Sequence, residues 1–115
     1  MPTQDESPQG GPAAGSVPVV TARGDLDIDN LGPLRRALET AAQGPVVVLD
    51  ASDVSFADSS FLSVLLSVRQ LTDLRVAGSS PQVLRLLGIT GADRIIPLYP
   101  TVSEATQAAP AGPIG

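Results

Sequence analysis

The chain has 115 residues, 43% of them hydrophobic, 17% charged and only 3% aromatic, with a net charge of −5. It contains no cysteine and no histidine, and all seven basic residues are arginine. A disulfide scaffold, a thiol nucleophile, the usual general base and a phosphate-loop or Schiff-base lysine are therefore excluded, and the acidic balance with scarce aromatics speaks against direct nucleic-acid binding.

Residues 1–16 are rich in Gln, Pro, Gly and Ala and show no apolar periodicity. Such a stretch cannot bury enough surface to offset its ordering entropy, so it is expected to be a disordered N-terminal tail. It also lacks the basic and apolar regions of a signal peptide. Residues 109–115 have the same character and are expected to be a disordered C-terminal tail. Residues 17–108 are left as one domain.

Within that span, residues 17–23 are β-branched and bounded by Gly24-Asp25, which predicts a strand. Asn30 is placed to cap a helix with Pro33 in its first turn. Leu31, Leu34, Leu38 and Ala41/Ala42 recur at helical spacing until Gly44-Pro45 stops the run. Residues 46–49 are a continuous apolar run, the pattern of a strand covered on both faces, ending at Asp50. A short loop over residues 51–56 then leads to Asp58-Ser59-Ser60, which opens a long apolar helix reaching about Leu71.

The longest apolar stretch, residues 61–74, is interrupted by Ser63, Ser67, Arg69, Gln70 and Asp73. It falls short of the roughly 20 apolar residues a membrane span needs. The expectation is a soluble, cytoplasmic protein with no membrane partner. Residues 74–77 predict a third strand closed by Gly78. Ser80 as N-cap and Pro81 at the first position open a further helix, ended by Gly88. Residues 95–98 predict a fourth short strand, and Thr101-Val102-Ser103-Glu104 matches a capping box opening a terminal helix. Strands alternating with helices at this spacing indicate an α/β layer protein with parallel pairs.

Three constellations could carry chemistry. In Gly24-Asp25-Leu26-Asp27-Ile28-Asp29-Asn30, alternate carboxylates resemble the start of a calcium loop. That loop needs Gly at its sixth position and Glu at its twelfth, where Asn30 and Arg36 stand. A turn with favourable anions at a helix start fits better, with an acidic contact surface as the remaining reading.

The second constellation, residues 50–61, lies at the carboxyl end of a buried strand, where α/β sheets usually bind ligands and partners. Asp58 or Ser59 could be a simple N-cap worth about 1 kcal/mol. A serine nucleophile lacks a base, because the chain has neither histidine nor lysine. The site does suit a phosphoryl acceptor: a dianion on a helix N-terminus meets free N–H groups, repels Asp58 and changes the local charge by about two units. The third is the row Ser60, Ser63, Ser67 at helical spacing, either a solvated face or a flat one open to close approach. Phe61 beside it is either a core residue or an exposed apolar anchor; the helix is too apolar for periodicity to decide.

Residues 46–50 followed by 54–60 (Val-Val-Val-Leu-Asp, then Val-Ser-Phe-Ala-Asp-Ser-Ser) resemble the central motif of the STAS family, best known as anti-sigma factor antagonists. Gly24-Asp25-Leu26-Asp27 is similar to that family's Gly-Glu-Leu-Asp turn. Gly78 to Pro81 and Leu86-Leu87-Gly88-Ile89-Thr90-Gly91 look like its third-strand loop and following helix. The resemblance covers residues 17–108. It implies a STAS-like α/β fold of about four mostly parallel strands with helices packed on one side. Separately, the missing His, Cys and Lys argue against an enzyme, so no catalytic residue, metal or cofactor is expected.

It further implies a partner switch controlling sigma-factor-dependent transcription, as in bacterial stress responses. The antagonist binds an anti-sigma factor that is also a serine kinase, phosphorylation releases it, and a serine phosphatase resets it. By position Ser59 would be the acceptor, preceded by Asp58, with Asp27 on the adjacent kinase-contact surface. The reading of the helix adds Ser60, Phe61 and Ser63 to the expected partner-binding surface. The family motif usually reads Asp-Ser-Ser-Gly, whereas Phe61 holds the fourth position here. Glycine would let a partner backbone approach closely; phenylalanine obstructs that or makes a different contact. The stretch 60–74 is also a few residues shorter than the family pattern. The alternative is a non-phosphorylated STAS scaffold subunit of a regulatory or transporter-associated complex, with Phe61 as its anchor. The Arg-only, Ala/Gly/Pro-rich composition suits a high-GC bacterium.

Overall fold

The computed structural model describes residues 17–108. The predicted tails, 1–16 and 109–115, lie outside the described residues. The elements alternate as β1 (Val19–Leu26), α1 (Gly32–Ala41), β2 (Val46–Ala57), α2 (Ser59–Arg69), β3 (Asp73–Ala77), α3 (Pro81–Thr90), β4 (Leu98–Tyr99) and α4 (Val102–Gln107). A 3-10 turn, Ala92–Arg94, precedes β4.

The apolar run at Val47, Val48 and Leu49 forms the buried middle of a parallel sheet ordered β1-β2-β3-β4. Each strand pairs with the next in sequence. Right-handed crossovers taken in one direction across a sheet leave all their helices on one face. Accordingly Leu34 and Leu38 of α1, Phe61, Val64, Leu65 and Val68 of α2, and Val83 and Leu87 of α3 share one core. Val47, Leu49, Leu74 and Val76 meet them from the sheet.

Helices on one side, as expected, describes α1 to α3. The fourth lies on the opposite face, where Ala105 of α4 packs on Val48 and Ala77 in a smaller cluster. Arg75 faces the same way and is only 2% exposed. Its Nη1 donates to the carbonyls of Ala105 (2.7 Å) and Ala108 (2.9 Å), and its Nη2 pairs with Asp73 at 3.0 Å. A cation at the carbonyl end of a helix complements the dipole, and the paired carboxylate makes its burial tolerable.

Several boundaries differ from those predicted. The first strand runs on through Gly24-Asp25 to Leu26, because β2 keeps pairing with it. Asn30 does not cap α1; Leu31 holds that position without a side-chain bond, and Asn30 Nδ2 donates instead to the Asp25 carbonyl at 3.0 Å. Helix α3 passes through Gly88 to Thr90 and stops where Gly91 turns left-handed at φ 79°. The fourth strand is just Leu98–Tyr99, since the 3-10 turn occupies the approach to it.

The predicted loop over 51–56 is strand. From Val19 to Leu26 β1 advances seven residues, while the paired stretch of β2 from Val48 to Ala57 advances nine. Two bulges absorb the difference, at the register shifts beside Thr21/Arg23 and Gly24/Asp25. Each bulge puts two residues outward instead of one, so the inward positions become Ala51, Val54 and Ala57, three apart. Ser52, Asp53, Ser55 and Phe56 are exposed as a result.

Candidate functional site

The last paired residues of β1 and β2 are Leu26 and Ala57. Asp27 and Asp58 therefore leave the sheet from neighbouring strand ends, at its carboxyl edge. Both carboxylates are engaged locally. Asp27 Oδ1 accepts the Asp29 N–H at 3.0 Å, folding the β1–α1 loop onto itself. Asp58, in extended conformation, accepts the Ser60 N–H at 2.9 Å and caps α2.

With Asp58 as the cap, Ser59 is the first residue of an eleven-residue helix. It is exposed, and its hydroxyl makes no hydrogen bond among the described residues. Ser60 and Ser63, on the first turns of the same helix, line a cleft of about 440 Å³. The opposite wall is Ile28 and Leu31 of the β1–α1 loop with Gly32 and Arg35 at the start of α1. Ser67 is exposed further along α2 and does not line this cleft.

Phe61 is 0% exposed. It belongs to the buried stripe Phe61, Val64, Leu65, Val68, spaced i, i+3, i+4, i+7, which α2 turns to the sheet. Its assignment to the partner surface is therefore corrected: this ring fills the core and offers no direct contact. The apolar surface at this edge comes from residues that sequence reasoning passed over, Ile28 at 75% exposure and Phe56 at 48%. Phe56 is turned outward by the second bulge of β2. The three-residue spacing of Ala51, Val54 and Ala57 is the signal that could have shown it.

The carboxylates of Asp25, Asp27 and Asp29 form no metal-ligating group among the described residues. What the edge presents is an unbonded hydroxyl at a helix start, a capping carboxylate beside it, two further hydroxyls over a cleft, and one arginine facing them. An anion placed on Ser59 would meet the positive end of α2.

A singly wound parallel sheet with a serine-rich helix start after its second strand is the architecture of the STAS domain. The family model described as "Mlab, STAS domain" matches residues 12–98, and the chain belongs to the STAS family. Among individual proteins, it is 28% identical over 109 residues to a Mycobacterium tuberculosis protein provisionally named an anti-anti-sigma factor, covering 87% of this chain and 74% of the relative. It is 30% identical to an anti-sigma factor antagonist from Mycobacterium paratuberculosis, whose crystal structure superposes with a TM-score of 0.69 over 76% of this chain and 80% of that one. The anti-sigma factor antagonist SpoIIAA in its unphosphorylated form shares the fold, with a TM-score of 0.63 at 23% identity over 76% and 82% of the two chains.

Proposed function

We propose that this chain is an anti-sigma factor antagonist whose binding to an anti-sigma factor is switched by phosphorylation of Ser59. Its unmodified form engages an anti-sigma factor that is also a serine kinase, through Asp27, Asp58, Ser60 and Ser63 together with the exposed Ile28 and Phe56. The observation that carries this reading is the position of Ser59: exposed, unbonded and first in α2, between the capping Asp58 and the cleft. The likeness to antagonists named as such supports the general role.

In the switching step, the Ser59 hydroxyl oxygen bonds to the terminal phosphorus of a nucleoside triphosphate held by the partner. The nucleoside diphosphate leaves, and the hydroxyl proton passes to a base on the partner, since the Asp58 carboxylate is engaged by the Ser60 N–H. The product carries about two negative charges where the hydroxyl was neutral. A phosphatase that hydrolyses this monoester restores the binding form. The cytoplasm is where such a cycle would run.

The test is affinity for the cognate anti-sigma factor. Ser59→Ala should bind as the unmodified chain does. Ser59→Asp should bind at least about tenfold more weakly, corresponding to ~1.4 kcal/mol. Equal affinity of the two variants would sink the switch and favour the scaffold reading. With Phe61 buried, that scaffold would have to use Ile28 and Phe56 as its anchors.

A further inference from the structure

Arg35 stands on the wall of the cleft opposite Ser60 and Ser63 and is the only charged residue lining it among the described residues. Its side chain is exposed and makes no ion pair or hydrogen bond among the described residues. Across from it, Ser59 and Ser63 are i and i+4 on α2, a spacing that puts their Cβ atoms about 5–6 Å apart on one helical face. Ser63 is already part of the cleft, so a group extending from Ser59 along that face enters the same space.

We propose that Arg35 is the intramolecular receptor for the phosphate on Ser59. This rests on the phosphorylation reading above and adds what the phosphate does on its own chain. Three forces favour the pairing. The Asp58 carboxylate, held at the cap by Ser60 N–H, repels a dianion and drives it away from the cap. The guanidinium fork matches two phosphate oxygens at once, which a point charge could not do. The hydroxyls of Ser60 and Ser63 are free to donate to the remaining oxygens.

The pairing would tie the start of α1 to the start of α2 and fill the cleft from within. Phosphorylation then removes a binding surface as well as adding charge. A partner that used Arg35 in the unmodified state loses it.

The experiment uses the full chain carrying phosphoserine at position 59, installed during translation so that no kinase is needed. The second ionisation of the phosphate is followed by phosphorus NMR against pH, in the parent chain, in Arg35→Gln and in Arg85→Gln. Arg85→Gln removes the same charge from an exposed position on α3 that does not line the cleft. A phosphate paired with Arg35 should ionise about one unit or more below the free phosphoserine value near ~6. Arg35→Gln should raise it by about one unit, and Arg85→Gln should leave it where it is in the parent chain. No difference between the parent chain and Arg35→Gln overturns the proposal.

Binding of the anti-sigma factor to the same phosphorylated samples is measured separately. Undiminished binding with the Arg35 pairing intact would overturn the switch and leave the receptor standing. Weakened binding with an unshifted phosphate would do the reverse.

Discussion

At position 61 the motif glycine is replaced by the largest side chain of the α2 core stripe. The ring is fully buried with Val64, Leu65 and Val68, and it faces the sheet rather than a partner. Removing it should leave a cavity that the neighbouring aliphatic side chains fill only in part. Phe61→Ala is expected to cost about 3–5 kcal/mol of unfolding free energy, read by denaturant titration. Binding by the fraction that remains folded should be unchanged, because Ser59 and Ser63 leave the helix on its other side and the half-buried Ser60 at its flank. A variant that kept its stability but lost the partner would return Phe61 to the surface. Ile28→Ser is the complementary change: at 75% exposure it should leave stability nearly untouched and weaken partner binding.

Between elements, two turns put glycine in the left-handed region with different surroundings. Gly78, at φ 63°, closes β3, and a Cβ there would sit 3.3 Å from Ser52 Cβ and 3.5 Å from Asp50 Oδ1. Ser52 cannot easily yield, since its N–H and hydroxyl both donate to Asp50 Oδ1, at 3.1 and 2.7 Å. Gly91 ends α3 at φ 79° with nothing within 4 Å of a Cβ. Both alanine substitutions pay about 1–2 kcal/mol of left-handed strain, and Gly78→Ala should cost clearly more than Gly91→Ala in the same denaturant assay. Equal costs would mean that the Asp50–Ser52 turn is soft. These turns also mark how far sequence reading reached. Where the cause is local it succeeded: the Ser80 and Thr101 caps are present, Asp58 is the cap of the two candidates Asp58 and Ser59, and the apolar run of β2 is buried. It stopped α3 one turn early because Gly88 and Gly91 look alike until the backbone shows which is left-handed. It lost the end of β2 because two bulges replace a two-residue alternation with a spacing of three. At the site, Asp58 and Ser59 were legible as a motif. The cleft was not, because Arg35 and Ser63 meet through strand register and helix packing rather than through any spacing in the chain.

For the whole molecule, the one-directional winding of the sheet produces two unequal faces. The larger core unites the sheet with α1, α2 and α3 and contains every element that builds the candidate site. The smaller cluster holds the six-residue α4 against Val48 and Ala77, tied down by Arg75. Contacts this few should open before the rest of the domain does. Native-state hydrogen exchange should therefore find the amides of Ala105 and Ala108 exchanging through a local opening of lower free energy than those of Val47–Leu49, which report global unfolding. Arg75→Met removes the cation that binds the last α4 carbonyls and neutralises Asp73. It should lower the α4 opening energy further and cost about 3–5 kcal/mol overall, as expected when one partner of a buried ion pair is lost. Per folded molecule, binding at the Ser59 edge should survive, since none of its side chains touches α4's cluster. Identical exchange energies for α4 and β2 would instead mean that both faces unfold as one unit, and that a disturbance at Arg75 reaches the site through the sheet.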